Sequence, residues 1–176
     1  VPGQLQLRVN FFTHPKLINA LLFQLAWFGC VAGGDSLAFA LLVIIFYIHI
    51  KYLKLDRTEL IFIGLVAFAG FLMDTILSIA GIFKFENIQF GYIPTWLICL
   101  WMIFATTINL SLAWLHDRLL LALVLGAIGG PMSYFAGSNL SSVVIAPPQF
   151  VSLVIISLCW AVFFPLVLYA ARRLLK

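Results

Sequence analysis

One carboxylate interrupts the long uncharged stretches of this chain, and its position invites chemistry. Asp74 stands 14 residues past Leu60 in a run made mostly of Leu, Ile, Val, Phe, Ala and Gly. On a helix that is about 21 Å from the Leu60 end, at ~1.5 Å per residue. A charge that deep in a bilayer costs roughly 2.5–3.5 kcal/mol on insertion scales, so the acid must be protonated, partnered or facing water. One reading is a proton- or cation-handling carboxylate, or an anchor for a polar substrate group. The other is a structural hydrogen bond to a neighbouring helix. Ser133 and Tyr134 are its candidate partners, because they stand 14 and 15 residues past Leu119 and reach nearly the same depth.

A second set of polar residues sits close together. Thr106 and Asn109, three apart, share a helix face, with Thr107 beside them. Gln24, seven residues into the first apolar run, reaches a similar depth and is expected to meet them. Such groups either line a pocket or tie helices together, at ~0.6 kcal/mol per contact on average. Asp74, Gln24, Thr106, Asn109, Ser133 and Tyr134 are therefore the candidate intramembrane polar pocket. Gly129, Gly130 and Pro131 are the candidate helix break. The proline leaves the Ala127 carbonyl without its helical partner, and broken membrane helices often line substrate sites. The plainer reading is a kink that shapes packing. The spacings Gly29-xxx-Gly33 and Gly126-xxx-Gly130 suit close approach of helix backbones.

Little else could be catalytic. His116-Asp117 is followed at once by Arg118 in a tight turn, which reads as ordinary loop polarity, and His14 and His49 stand near run ends. Cys30, Cys99 and Cys159 lie singly inside apolar runs without metal-binding or redox spacing. No catalytic residue, metal or cofactor is expected. Asn139-Leu140-Ser141 matches a glycosylation triplet that arises often by chance.

The elements that must carry these residues follow from composition. Of 176 residues, 64% are hydrophobic and only 9% charged, against roughly a quarter charged in soluble domains. The chain reads as one all-α integral membrane bundle of six transmembrane helices, since lipid offers no partners to open backbone groups. A span needs about 20 apolar residues, and six candidates appear: 17–34, 36–53, 59–83, 95–115, 119–137 and 150–171. Residues 1–16 form an N-terminal tail and 172–176 a basic one. The first run lacks a cleavage pattern and is expected to be a retained span. Gly33-Gly34 can end it, and Asp35 or Ser36 can cap the second helix. The joins 54–58, 84–94, 116–118 and 138–149 are loops.

Charge sets the orientation. Arg8, Lys16, Lys51, Lys54, Arg57, Arg118, Arg172, Arg173 and Lys176 fall on one side of this layout, and only Lys84 on the other. By the positive-inside rule both termini are cytoplasmic. Trp96 and Trp114, 18 residues apart, would span ~27 Å of the fourth helix and read as membrane-interface aromatics, as do Tyr47, Tyr52, Tyr92 and Tyr169. The net charge of +4 is too scattered for a nucleic-acid face.

Three segments carry a resemblance: 24–34 (QLAWFGCVAGG), 101–109 (WMIFATTIN) and 129–137 (GGPMSYFAG). Together, from about Phe23 onward, the chain resembles the DUF2878 family of small bacterial inner-membrane proteins of unknown function. The resemblance implies a bacterial inner membrane and supplies no site. The expected function is a small-molecule or lipid binding or transport module. The alternatives are a lipid-acting membrane enzyme or accessory subunit, for which the 116–118 turn would matter, or a structural partner of another membrane protein. Membrane lipids are the expected partners, with another membrane protein or a second copy of the chain as further candidates, and no nucleic acid.

Overall fold

The computed structural model describes residues 14–53, 55–86 and 93–175. The N-terminal tail up to residue 13 with Arg8, together with Lys54, Tyr92 and Lys176, lies outside them. Five helices and a two-stranded ribbon make up the described chain. They are α1 (Pro15–Tyr52), α2 (Arg57–Ile79), β1 (Phe83–Phe85), α3 (Thr95–Ile108), α4 (Leu119–Leu140), β2 (Val143–Ile145) and α5 (Gln149–Leu174), with one 3-10 turn at Ala113–Leu115.

α1 is not one rod. Straight, its 38 residues would run about 57 Å. Instead Gly34 takes φ 69° and ψ −164°, a conformation open to a residue without Cβ, and the chain doubles back. Residues 15–33 and 35–52 form antiparallel arms. The Asn19 amide donates to His49 Nε2 at 3.0 Å across 30 residues. Gly29 and Gly33 face the second arm, where an added Cβ would meet Leu41 and Leu37 at 2.4 Å. Asp35 caps a different helix from the one expected. Its Oδ1 accepts the Trp96 amide at 2.8 Å, satisfying an orphan donor at the start of α3.

The other boundaries have local causes. Asp56 caps α2, its Oδ1 accepting from the Glu59 amide at 2.8 Å, with Glu59 at the third helical position as in a capping box. α2 ends four residues before the expected Phe83. Gly81 adopts φ 76°, and the amides of Gly81 and Ile82 bond back to Ser78 and Leu77, a Schellman stop. α3 ends at Ile108 rather than Leu115. Thr106 and Thr107 return their hydroxyls to Ile103 and Phe104, competing with the helical ladder, and the Leu110 and Leu112 amides both turn to the Thr107 carbonyl. The stretches after α2 and α4, expected to be loops, contain the ribbon. β1 pairs antiparallel with β2, Lys84 opposite Val144, in keeping with the β-branched run Val143-Val144-Ile145.

With the arms of α1 counted separately, the described residues hold six helical segments. One end carries the ribbon and Gly34. The other carries the basic residues: of the described Lys and Arg, all but Lys84 lie there. At that basic end Lys51, Arg118 and Arg173 lie over the rings of Tyr47, Trp114 and Tyr169, 5.2–5.8 Å from the centroids. Among the described residues, four helices are long and apolar enough to cross a membrane, the folded-back α1 being one of them. Large apolar side chains stand exposed along their length, up to 77% at Leu120 and 78% at Phe150. In water these would form aggregating patches, whereas lipid tails cover them without penalty.

Candidate ligand cleft

Asp74 is fully buried on α2, held by two donors from two other helices. Trp101 Nε1 on α3 donates to Oδ2 at 2.7 Å, and the Tyr134 hydroxyl on α4 donates to Oδ1. Gly70, one turn earlier on α2, makes this possible. A Cβ there would come within 2.4 Å of three Trp101 ring atoms, so the indole lies flat on the bare backbone and reaches the carboxylate. Trp101 in turn stacks on Trp160 of α5, centroids 5.4 Å apart and planes 12° from parallel. Trp160 sits on Gly130, where a Cβ would be 2.3 Å from Cγ. The Gly126-xxx-Gly130 pair thus faces α5.

Above these rings opens a cleft of ≈ 610 Å³, its open mouth included, lined by residues that include Trp27, Trp96, Trp101, Trp160, Ser133 and Tyr134. Four of the five tryptophans of the chain are there; the fifth, Trp114, is at the basic end. Its lining comes from the first arm of α1, from α3, α4 and α5, and, through Phe85 and Val143, from the ribbon. The first arm and α4 touch only lightly. Trp27 Nε1 bridges them, donating to Ser133 Oγ at 3.0 Å. The Trp160 indole N–H is buried without a hydrogen bond of standard geometry among the described residues, though the Tyr134 hydroxyl lies near it. Asp74 itself does not line the cleft. Its oxygens hold two of the lining residues in place from behind.

The candidate residues therefore divide into two groups. Asp74, Ser133 and Tyr134 gather at or behind the cleft. Thr106 and Asn109 belong to a second network nearer the basic end, and Gln24 joins neither, being exposed on the outer side of its arm. Asn19 takes the place expected of Gln24. Its Nδ2 donates to His49 Nε2 and to Thr106 Oγ1 at 3.2 Å, and its Oδ1 accepts from the Ser111 hydroxyl at 2.6 Å. His49 Nδ1 donates to the Ile45 carbonyl at 2.8 Å, leaving Nε2 as the acceptor for Asn19. Asn109 donates to Glu59 Oε1 at 2.6 Å. Asn19 shares a helix face with Ala26 and Cys30, which follow at steps of seven and four, and all three are buried.

The expected break at Gly129, Gly130 and Pro131 is absent: α4 continues through Pro131 to Leu140. The Ala127 carbonyl that the proline frees accepts the Ser157 hydroxyl of α5 at 2.6 Å, so the helix continues without an orphan acceptor. Gly130 is buried while Gly129 is exposed. In the 116–118 turn, His116 Nε2 donates to the Ile108 carbonyl at 3.0 Å, and Asp117 pairs with Arg172 at 3.1 Å.

Sequence reasoning missed Trp27, Trp101 and Trp160 as site residues. The signal available was position: Trp160 stands 11 residues past Gln149, mid-span, where an interface tryptophan does not belong.

The profile of a family described as a protein of unknown function, DUF2878, matches residues 16–166, from the start of α1 into the last third of α5. The chain belongs to the DUF2878 family. No curated protein and no solved structure matches it. In this DUF2878 protein the family match covers all six lining residues named above and both polar networks.

Proposed function

We propose that this DUF2878 protein is a six-span bacterial inner-membrane protein, both ends cytoplasmic, that binds an apolar small molecule or lipid in the aromatic cleft. The observation that carries the reading is the gathering of four tryptophans and Tyr134 around one cleft, braced by Gly70, Gly130 and a buried carboxylate. Rings fixed in this way are preorganised for a ligand at little ordering cost. The surrounding lipid is the natural source of such a ligand. In the 116–118 turn, His116 and Asp117 bond to Ile108 and Arg172 rather than to each other.

The topology rests on the hairpin at Gly34 and the charge asymmetry. Reporter fusions after Asp56, Asp117 and Lys176 are expected to score as cytoplasmic, and those after Glu86 and Ser142 as external. An external score at Lys176 would end the six-span reading.

Gly137 offers a test of the cleft. It lines the cleft, yet a Cβ there meets nothing within 4 Å, so Gly137→Leu fills space without a clash. Bromobenzene, a small apolar heavy-atom quencher, is expected to quench the tryptophan fluorescence of the full chain in nanodiscs saturably. The Gly137→Leu variant is expected to lose about tenfold or more in affinity, as for ~1.4 kcal/mol of binding. Linear quenching identical in both proteins would sink the binding reading.

A further inference from the structure

The cleft has an unusual electrostatic setting. It contains no Lys, Arg or His among its lining residues. Behind its wall Asp74 is fully buried, and both of its hydrogen-bond partners, Trp101 and Tyr134, are neutral. The described basic residues, Lys84 apart, lie at the far end of the bundle, and no described cation pairs with Asp74. Buried carboxylates normally have a positive partner or lose their charge.

Hydrogen counting confines the acid proton of Asp74 to one contact. The indole N–H of Trp101 can only donate, so Oδ2 is an acceptor. The contact between Oδ1 and the Tyr134 hydroxyl holds a single hydrogen. With that hydrogen on the phenol, the carboxylate carries a full charge, and the donated bond pushes electron density into the Tyr134 ring. Electron-rich aromatic faces attract cations, most strongly where water is excluded, and cages of Trp and Tyr are the usual receptors for quaternary ammonium groups.

We propose that the cleft takes a lipid-soluble organic cation of the quaternary ammonium type, caged by Trp27, Trp96 and Tyr134, with Asp74 as its buried counter-charge. This rests on the binding reading above and adds the ligand's chemical class. Trp101 and Trp160 hold the cage in place and are not contacts, because Gly70 and Trp160 cover the faces of Trp101, and Trp101 and Gly130 cover those of Trp160. A hydrocarbon chain would fill the same space without answering a charge on Asp74.

Benzyltrimethylammonium and its neutral carbon isostere neopentylbenzene have nearly the same shape and differ by one charge. Both are titrated into the full chain in nanodiscs of zwitterionic lipid, read by tryptophan fluorescence, with affinities referred to probe concentration in the bilayer. The cation is expected to bind at least about tenfold tighter, and Asp74→Asn to reduce that preference to below about threefold. Asn still accepts from Trp101 and can donate to the Tyr134 oxygen, so the variant keeps its fold, which a melting curve checks. Equal or tighter binding of neopentylbenzene to the unaltered protein overturns the cation inference, and so does a preference unchanged in a folded Asp74→Asn. Saturable quenching by bromobenzene alongside either result leaves the binding reading standing. If none of the three probes saturates, both readings fail.

Discussion

Gly126→Leu is expected to destabilise the bundle by about 3 kcal/mol, at the upper end of the usual range for overpacking. A Cβ at this position would stand 2.6 Å from the Trp160 carbonyl oxygen and 3.1 Å from the Phe164 Cβ. The first obstacle is backbone, which cannot rotate aside as a side-chain tip can. α4 must therefore move away from α5, its most extensive partner in the fold. That displacement also loosens the Ser157 bond to Ala127 and tilts Trp160, so bromobenzene binding is expected to weaken together with stability. Gly129→Leu is the control. Gly129 is exposed, with nothing within 4 Å of an added Cβ, so its effect should stay within ~0.5 kcal/mol. Thermal unfolding in detergent, followed by loss of the monodisperse species, compares the two. Equal melting temperatures for both variants would contradict the α4–α5 packing.

Asn19→Leu is expected to cost about 2–4 kcal/mol, even though leucine matches asparagine closely in size and suits a membrane. Each buried polar group left without its partner is penalised by ~1–3 kcal/mol. Removing Asn19 strands His49 Nε2 and the Ser111 hydroxyl together. Lipid-embedded reference states soften the penalty, because single interhelical hydrogen bonds average only ~0.6 kcal/mol. Asn19 exceeds that average because it joins three segments: the second arm of α1, α3 and the loop that follows α3. A double-mutant cycle isolates the contact. Asn19→Leu with His49→Leu should cost clearly less than the two changes summed, since each alone strands the other's partner. Strict additivity would mean the two arms are not joined there.

The all-α, lipid-suited character of the runs, the turn at Gly33-Gly34, the crowding of basic residues at one end and the family were all legible in the residues. Their cause is local or compositional. An uncharged run in lipid must form a helix to satisfy its own backbone, a glycine pair permits a reversal, and charge stays out of hydrocarbon. That Asp74 stands level with Tyr134 was legible for the same reason, since level along a helix is only a residue count times the helical rise. Which side chain meets which was not. Asp74 joins Trp101 and Tyr134 across 27 and 60 positions, and Trp27 meets Ser133 across 106. Gln24 and Asn19 are only five residues apart, but the helix turns roughly 140° between them at 3.6 residues per turn, and packing alone decided that Asn19 faces inward. Tryptophan was the most ambiguous residue, because interface, core and ligand site all favour it. Trp96 read as a membrane-interface residue and proved to line the cleft. Only the tertiary structure could turn four scattered tryptophans into one site, because that depends on the relative rotation of helices, which no run of hydropathy encodes.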